Sequence, residues 1–262
     1  DGSFLTSGTS LYEVIRAIEG VPLFWDEHMQ RLRNSACLTG SIIPLNPSEI
    51  KDSVLKLIKT NEVDTGNIKI VFNYPAKNNT VCNFIVYFIK HSYPSDDDYK
   101  NGVDTILFHG ERHTPEAKVA DVSFLDVVSK EIADHGVYEA ILVDGEGNIT
   151  EGSKSNIFLL QSNSIYTAPG EKVLGGITRH YVMSVCKDNN LEVFEKCINY
   201  KDLQQIEALF ISGTSPKILP VRRIDNLIFN SANHPIIRKL MQGYNQILCD
   251  YVSQAKLIYS GL

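Results

Sequence analysis

Five short stretches of the chain carry residue types suited to gripping an anion or to bonding a carbonyl carbon. In ERHTPEAKVADVSF, residues 111–124, Lys118 follows a proline-containing turn and precedes a helical pattern. A lysine desolvated there has its pKa lowered, and its free amine can condense with an aldehyde or ketone to a Schiff base. In ITEGSKSNIF, residues 149–158, Glu151 lies between two strand-like runs, where an ionisable residue is out of place. It reads either as a solvated hairpin turn or as a carboxylate that must face a partner. In GGITRHYVMSV, residues 175–185, two glycines lead into a helix, so the backbone N–H groups of Ile177 and Thr178 point out of its positive end. In SGTSPK, residues 212–217, Thr214 and Ser215 offer small hydroxyls after a strand, a setting that holds phosphate or carboxylate. In EHMQRL, residues 27–32, Arg31 presents a planar fork of donors. Each has an ordinary reading as well: a solvated lysine, a turn carboxylate, a capped helix start, a routine turn, a surface arginine.

The whole chain narrows the classes open to it. It has 262 residues, 25 Lys and Arg against 31 Asp and Glu, and a formal net charge of −6. That balance argues against nucleic acid or an anionic membrane as partner. No run approaches the roughly 18–20 apolar residues of a membrane-spanning helix. The opening DGSFLTSG lacks the basic and apolar regions of a secretory signal. Five cysteines, an odd number without a C-x-x-C pair, fit reduced thiols in the cytoplasm. Seven scattered histidines without an H-x-x-x-H pair give no reason to expect a metal site. His113, Asp121 and Lys154, near the stretches above, read as structural or solvated.

The elements that must position these groups follow from periodicity. SLYEVIRAIEGVPLFWDEH reads as a hairpin turning at Glu19-Gly20. Asp26 is the expected N-cap of a helix that Gly40 closes. NPSEIKDSVLKLIKTN forms a second helix, with Ile50, Val54, Leu57 and Ile58 on one face. NIKIVFNYP and VCNFIVYFIKHSYP follow as strands, giving a β-β-α-α-β-β first part. The polar HSYPSDDDYKNG marks the approach to a boundary, dividing the chain into 1–96 and 97–262. Beyond it come a strand VDTILFHGE, a helix VSFLDVVSKEIADHG ended by Gly136, strands EAILVD, NIFLL and SIYTAP, a helix after VLGGITR, a strand ALFISGT and a long C-terminal helix. The class is α/β, of the α+β kind, in two domains.

In their order, GTSLYEVIR, EHMQRL, ITEGSKSNIF, VLGGITR and EALFISGTSPKILPV make the chain resemble the class IV aminotransferases, the fold-type IV pyridoxal-phosphate enzymes. Branched-chain aminotransferases, D-amino-acid aminotransferases and aminodeoxychorismate lyases belong to that family. The resemblance implies that Lys118, in the larger C-terminal domain, binds pyridoxal 5'-phosphate covalently. It implies that Glu151 meets the pyridine nitrogen and that Arg31, Ile177, Thr178 and Thr214 hold the phosphate. Tyr12 would line the substrate pocket, with Thr214 and Ser215 beside it. The wording of GTSLYEVIR and EHMQRLRNSA is similar to that of branched-chain enzymes, which implies branched-chain L-amino acids with 2-oxoglutarate as substrates. Two departures bear on this. Ser123 stands where branched-chain enzymes usually carry tyrosine, which keeps a lyase that eliminates pyruvate from aminodeoxychorismate in view. KIVFNYPAKNN lacks the arginine and histidine with which D-amino-acid enzymes trap a carboxylate. The resemblance also implies a homodimer.

Overall fold

A computed structural model describes residues 8–75, 82–90 and 93–259. The chain divides into two units, the first comprising Asp1–Ser92, Ala117–Ala120 and Ile247–Leu262 and the second Tyr93–Glu116 and Asp121–Gln246.

Unit 1 is built on a four-stranded antiparallel sheet. Its strands β1 (Thr9–Ile18), β2 (Val21–Pro22), β3 (Gly66–Tyr74) and β4 (Asn83–Ile89) are ordered β2-β1-β3-β4. The β1–β2 hairpin turns at Glu19 and Gly20, both at positive φ (52° and 78°), the backbone that matches strand twist and that glycine adopts without strain. Period-2 alternation sends Leu11, Ile15, Ile68, Ile70 and Phe72 to one face, where they form a core with Trp25, Met29 and Leu32 of α1 (Trp25–Thr39) and Ile50 and Val54 of α2 (Pro47–Asn61). Each such side chain contributes roughly 1.5–3 kcal/mol by leaving water. Leu57 and Ile58 pack against the same core, as their spacing requires. Asn46 caps α2, accepting from the Ser48 and Glu49 amides while Glu49 reaches back to the Asn46 N–H, so the box is closed. Gly40 ends α1 at φ 63° as expected, but the start differs. The N-cap is Phe24, in left-handed conformation and without a side-chain cap bond, and Asp26 lies inside the first turn, where its charge meets the helix dipole.

Unit 2 carries the strands β5 (Val103–His109), β6 (Glu139–Val143), β7 (Ile149–Gly152), β8 (Asn156–Gln161), β9 (Ser164–Thr167), β10 (Val193–Glu195), β11 (Ala208–Gly213), β12 (Lys217–Ile224) and β13 (Leu227–Ile228). Their path runs β10-β9-β8-β11-β12-β5-β6-β7, and β7 returns to pair with β8. Six strands thus close into a ring, and the closing pair is Glu151 with Asn156. Among the described strands only β5 has parallel neighbours on both sides, β12 and β6. The β5–β6 connection is α4 (Val122–His135), capped by Asp121, which accepts from the Phe124 amide and the Ser123 hydroxyl, and ended by Gly136 at φ 60°. Two further helices are α5 (Ile177–Asp188) and the long α6 (Pro235–Tyr259). A short α3 (Asp96–Asn101) occupies the acidic stretch read as the approach to a boundary, because Ser95 and Asp98 form a capping box. β12 contains Pro220, placed beside a register shift between Val221 and Arg223, where a missing N–H is tolerated.

The sequence boundary put Lys118 in the C-terminal domain. The structure groups it with unit 1 instead, because residues 118–120 hydrogen-bond along the edge of β1. The Tyr12 amide donates to the Lys118 carbonyl (3.2 Å) and the Ala120 amide to the Ser10 carbonyl (2.9 Å), around a Leu11–Val119 bridge.

Candidate active site

In unit 1 the segment at Lys118 and the helix α1 bring together three of the expected residues. The Lys118 amide donates to Ser35 Oγ on α1 (3.0 Å), and its Nζ stands 4.8 Å from the centroid of the Tyr12 ring. Lys69 Nζ lies 4.7 Å from the same ring. Burial lowers the Lys69 pKa, and no carboxylate among the described residues pairs with it. Aromatic faces attract cations by about 0.5–2 kcal/mol, so Tyr12 gathers two amines on one face of the sheet. By register that face also carries Val14, Val71 and Ile85, the residues beside Tyr12 that the helical core does not use.

Arg31 is organised from below. Glu13 sits on the apolar face of β1, fully buried, and accepts from Arg31 Nε (2.8 Å), Arg31 Nη2 (2.6 Å) and His28 Nδ1 (2.7 Å). A carboxylate can only accept, so His28 carries its proton on Nδ1. Burial alone would push the Glu13 carboxyl up. The Arg31 guanidinium and His28 outweigh it and hold the group well below the usual carboxylate range. Burial pushes His28 the other way, below its ordinary value, against the pull of Glu13, so the imidazole is neutral at pH 7. The outcome is a fixed guanidinium whose Nε–Nη2 edge is spent on Glu13, out of five N–H donors in all.

In unit 2 the closing pair of the ring is the centre. Glu151 is buried, with 3% exposure, which rules out the solvated-turn reading. Its Oε2 accepts from the Leu174 amide (3.2 Å), and its Oε1 lies 3.3 Å from Arg112 Nε, an ion pair without hydrogen-bond alignment. Asn156 ties the neighbouring pieces to it. Asn156 pairs with Glu151 on β7 and with Ser212 on β11, two residues before Thr214. Its Nδ2 donates to the Leu174 carbonyl (2.9 Å), and its Oδ1 occupies the place a Cβ on Gly176 would take. Hence the turn at Leu174–Gly176 is fixed against the ring, and α5 begins there. Ile177 and Thr178 are buried in its first turn, and no side chain caps it. The first amides of a helix have no intrahelical acceptor, and a terminus of this kind has the chemistry to meet an anion. Thr178 Oγ1 is 3.3 Å from the Tyr244 hydroxyl. Thr214 and Ser215 form the turn after β11, and Gly213 approaches the Lys154 carbonyl closely enough that an added Cβ would touch it.

The expected residues therefore fall into two groups: Tyr12, Arg31 and Lys118 in unit 1, and Glu151, Ile177, Thr178, Thr214 and Ser215 in unit 2. Sequence reasoning missed the residues beneath them, namely Glu13, Glu139 and Asn156. For Glu13 and Glu139 the available signal was charge at an inward position of an alternating or wholly buried strand, as in LYEVIRA and EAILV.

Unit 1 supplies an amine and a guanidinium, and unit 2 a buried carboxylate and an uncapped helix start, each of a type that meets one part of an aldehyde-bearing aromatic nitrogen base with a phosphate. The Glu151 carboxylate is buried and acceptor-only when ionised, the chemistry a protonated ring nitrogen calls for. The residues fit pyridoxal phosphate.

Comparison with known proteins agrees. The family model for amino-transferase class IV matches residues 10–224. The chain is 30% identical over 258 residues to a putative branched-chain-amino-acid aminotransferase of Methanocaldococcus jannaschii, covering 93% of this chain and 88% of that one. It is 28% identical over 232 residues to a D-alanine aminotransferase of Bacillus licheniformis, covering 86% and 82%. A solved structure of a putative 4-amino-4-deoxychorismate lyase from Legionella pneumophila superimposes with TM-score 0.83 at 27% identity, covering 94% of this chain and 93% of that one. The chain belongs to the class IV aminotransferases and is a pyridoxal-phosphate-dependent enzyme.

Proposed function

We propose that the protein transfers the amino group of branched-chain L-amino acids to 2-oxoglutarate. The observation that carries this reading is the setting of Lys118. Its amine lies on the Tyr12 ring, over a sheet face of Val14, Val71 and Ile85 that suits an aliphatic side chain. Lys69 on that face supplies a cation for the carboxylate of an amino or keto acid. The relative from Methanocaldococcus jannaschii supports the same substrate class.

Pyridoxal phosphate, when bound, supplies a conjugated ring that accepts the electrons released at the substrate α-carbon. Lys118 would hold it covalently and, once displaced by the substrate amine, take the α-carbon proton on Nζ. Glu151 would keep a proton on the ring nitrogen. Arg31, oriented by Glu13, would hold the phosphate together with Thr214 and the amides of Ile177 and Thr178. Tyr12, Thr214 and Ser215 would line the substrate side. We place the working enzyme in the cytoplasm as a homodimer; among the described residues no helix is long and apolar enough to cross a membrane.

The alternative reading is the lyase that eliminates pyruvate from aminodeoxychorismate. It rests on Ser123, which in the structure serves the Asp121 cap at the start of α4, and on the Legionella neighbour. A D-amino-acid aminotransferase is a third option, represented by the Bacillus relative. The departure noted for it lies partly in residues 76–79, outside the described residues. Purified protein supplied with pyridoxal phosphate should gain a visible absorbance that borohydride abolishes. L-Leucine with 2-oxoglutarate should then yield glutamate, while D-alanine should not donate. A colourless protein refutes the cofactor reading. Pyruvate released from aminodeoxychorismate without a keto acid selects the lyase.

A further inference from the structure

Beneath Glu151 lies a second buried carboxylate that the reaction does not use. Glu139 opens β6 with 4% exposure. Its Oε1 accepts from the Ser153 hydroxyl, and its Oε2 accepts from the Ser155 hydroxyl (3.1 Å). These serines flank Lys154 at the β7–β8 turn, and the backbone of that turn is held on both sides. The Ser153 amide donates to the Ala140 carbonyl (2.9 Å) and the Gly152 amide to the Ser155 carbonyl (2.8 Å). A Cβ on Gly152 would collide with Ser155 Oγ and approach Glu139. The Ser153 carbonyl in turn accepts from Arg112 Nη2, and Arg112 Nε is the cation beside Glu151. A continuous path of contacts therefore joins Glu139 to Glu151: carboxyl, serine hydroxyl, turn carbonyl, guanidinium, carboxylate.

We propose that Glu139 is a positioning residue for Glu151, fixing through Ser153 and Ser155 the turn on which Arg112 is anchored. These two serines are what a carboxyl at the head of an otherwise apolar strand serves. Removing it leaves two buried hydroxyls without their acceptor, an arrangement that is unfavourable if they stay in place. The cheaper response is for the turn to move, and the Ser153 carbonyl moves with it. Arg112 then loses the anchor that directs its Nε to Glu151. Burial raises the Glu139 pKa, against the serine hydroxyls and Lys154.

The inference rests on Glu151 being the functional carboxylate of the proposed function, and its test is independent of the cofactor. The full chain, labelled with carbon-13 at glutamate carboxyls, is titrated by NMR, and the Glu151 resonance is assigned with Glu151→Gln. Glu139→Leu should raise the Glu151 midpoint by about one pH unit, because its cation is loosened. Glu139→Gln, which still accepts from one serine and donates to the other, should keep the wild-type midpoint. Should Glu139→Leu not fold, Ser153→Ala with Ser155→Ala removes the same links from the turn and should give the same rise. An unmoved midpoint in a folded variant overturns the proposal, as does a Glu139→Gln shift as large as that of leucine. Colour on adding pyridoxal phosphate to the same wild-type sample tests the functional reading separately.

Discussion

Glu13 should be the most sensitive single position in unit 1, and the geometry sets the size of the effect. In Glu13→Gln the shape is kept and the charge removed. Glu13 Oε2 takes two donors, Arg31 Nη2 at 2.6 Å and His28 Nδ1 at 2.7 Å, and Oε1 takes Arg31 Nε at 2.8 Å. An amide can keep its oxygen at the first site only by turning its NH₂ against the Arg31 Nε–H. One donor–donor clash and one uncompensated guanidinium follow, the latter on a side chain with 11% exposure. Breaking a buried charge pair from one side costs about 3–5 kcal/mol. That is roughly a hundredfold or more in the unfolding equilibrium. Urea denaturation of wild type and variant at pH 7 measures the difference. The pH dependence separates this cause from mere packing. Glu13 is held below its unfolded value of 4.5, so its contribution is complete above pH 4.5 and is lost as pH falls toward the folded value. The gap between the two proteins should be flat from pH 6 to 8 and narrow steadily below 4.5. A Glu13→Gln protein within about 0.5 kcal/mol of wild type at pH 7 would show that Arg31 does not depend on this carboxylate. So would a gap that ignores acid.

Three other expectations follow from the same coordinates. Glu151→Gln should leave covalent cofactor uptake by Lys118 intact, read as borohydride-sensitive absorbance, while slowing amino transfer by about 10²–10³-fold; normal turnover would remove Glu151 from the chemistry. Gly176→Ala drives a Cβ into Asn156 Oδ1 and should cost about 1–3 kcal/mol. Combined with Asn156→Ala, it should cost less than the sum of the two, as double-mutant denaturation would show. Glu139→Gln should gain stability relative to wild type as pH rises above 4.5, since burial raises the Glu139 pKa in the folded state and ionising it there is penalised; parallel pH–stability curves would contradict the shift.

The helices and strands that alternate cleanly were legible from sequence. The hairpin at Glu19-Gly20, the face Ile50–Val54–Leu57–Ile58 and the stop at Gly136 each have one local cause, and the structure keeps them. The misses have non-local causes. Phe24 displaces Asp26 as the cap of α1 because the chain enters that helix from β2 through a left-handed residue packed on Tyr251, 227 positions later. Pro220 argues against a strand at 217–224 until β12 is seen to change neighbours there, pairing β11 up to Pro220 and β5 from Val221. Lys118 reads as part of the second domain because its sequence neighbours are. The backbone partners of Lys118 and Ala120, Tyr12 and Ser10, lie more than 100 residues earlier. The candidate groups themselves were legible as motifs. What holds them was not, because Glu13, Asn156 and Glu139 act through contacts that no local spacing displays.

Glu13 and Glu139 set a contrast that bears on how each unit sustains its site. Both are buried inside strands, and burial pushes both carboxyls in the same direction. The difference lies in what meets them. Glu13 faces a guanidinium with two donors and an imidazole, and the attraction exceeds the desolvation cost, so a full charge is kept under Arg31. Glu139 faces two hydroxyls and an amide, which satisfy its lone pairs without balancing a charge, so burial prevails. The nearest guanidinium, Arg112, is directed past it to Glu151 through the Ser153 carbonyl. Arg112 is linked to Glu139 through Ser153 and pairs directly with Glu151. The same residue type thus serves as counter-ion to a guanidinium in one unit and as hydrogen-bond acceptor for a turn in the other, and the groups that meet it decide which.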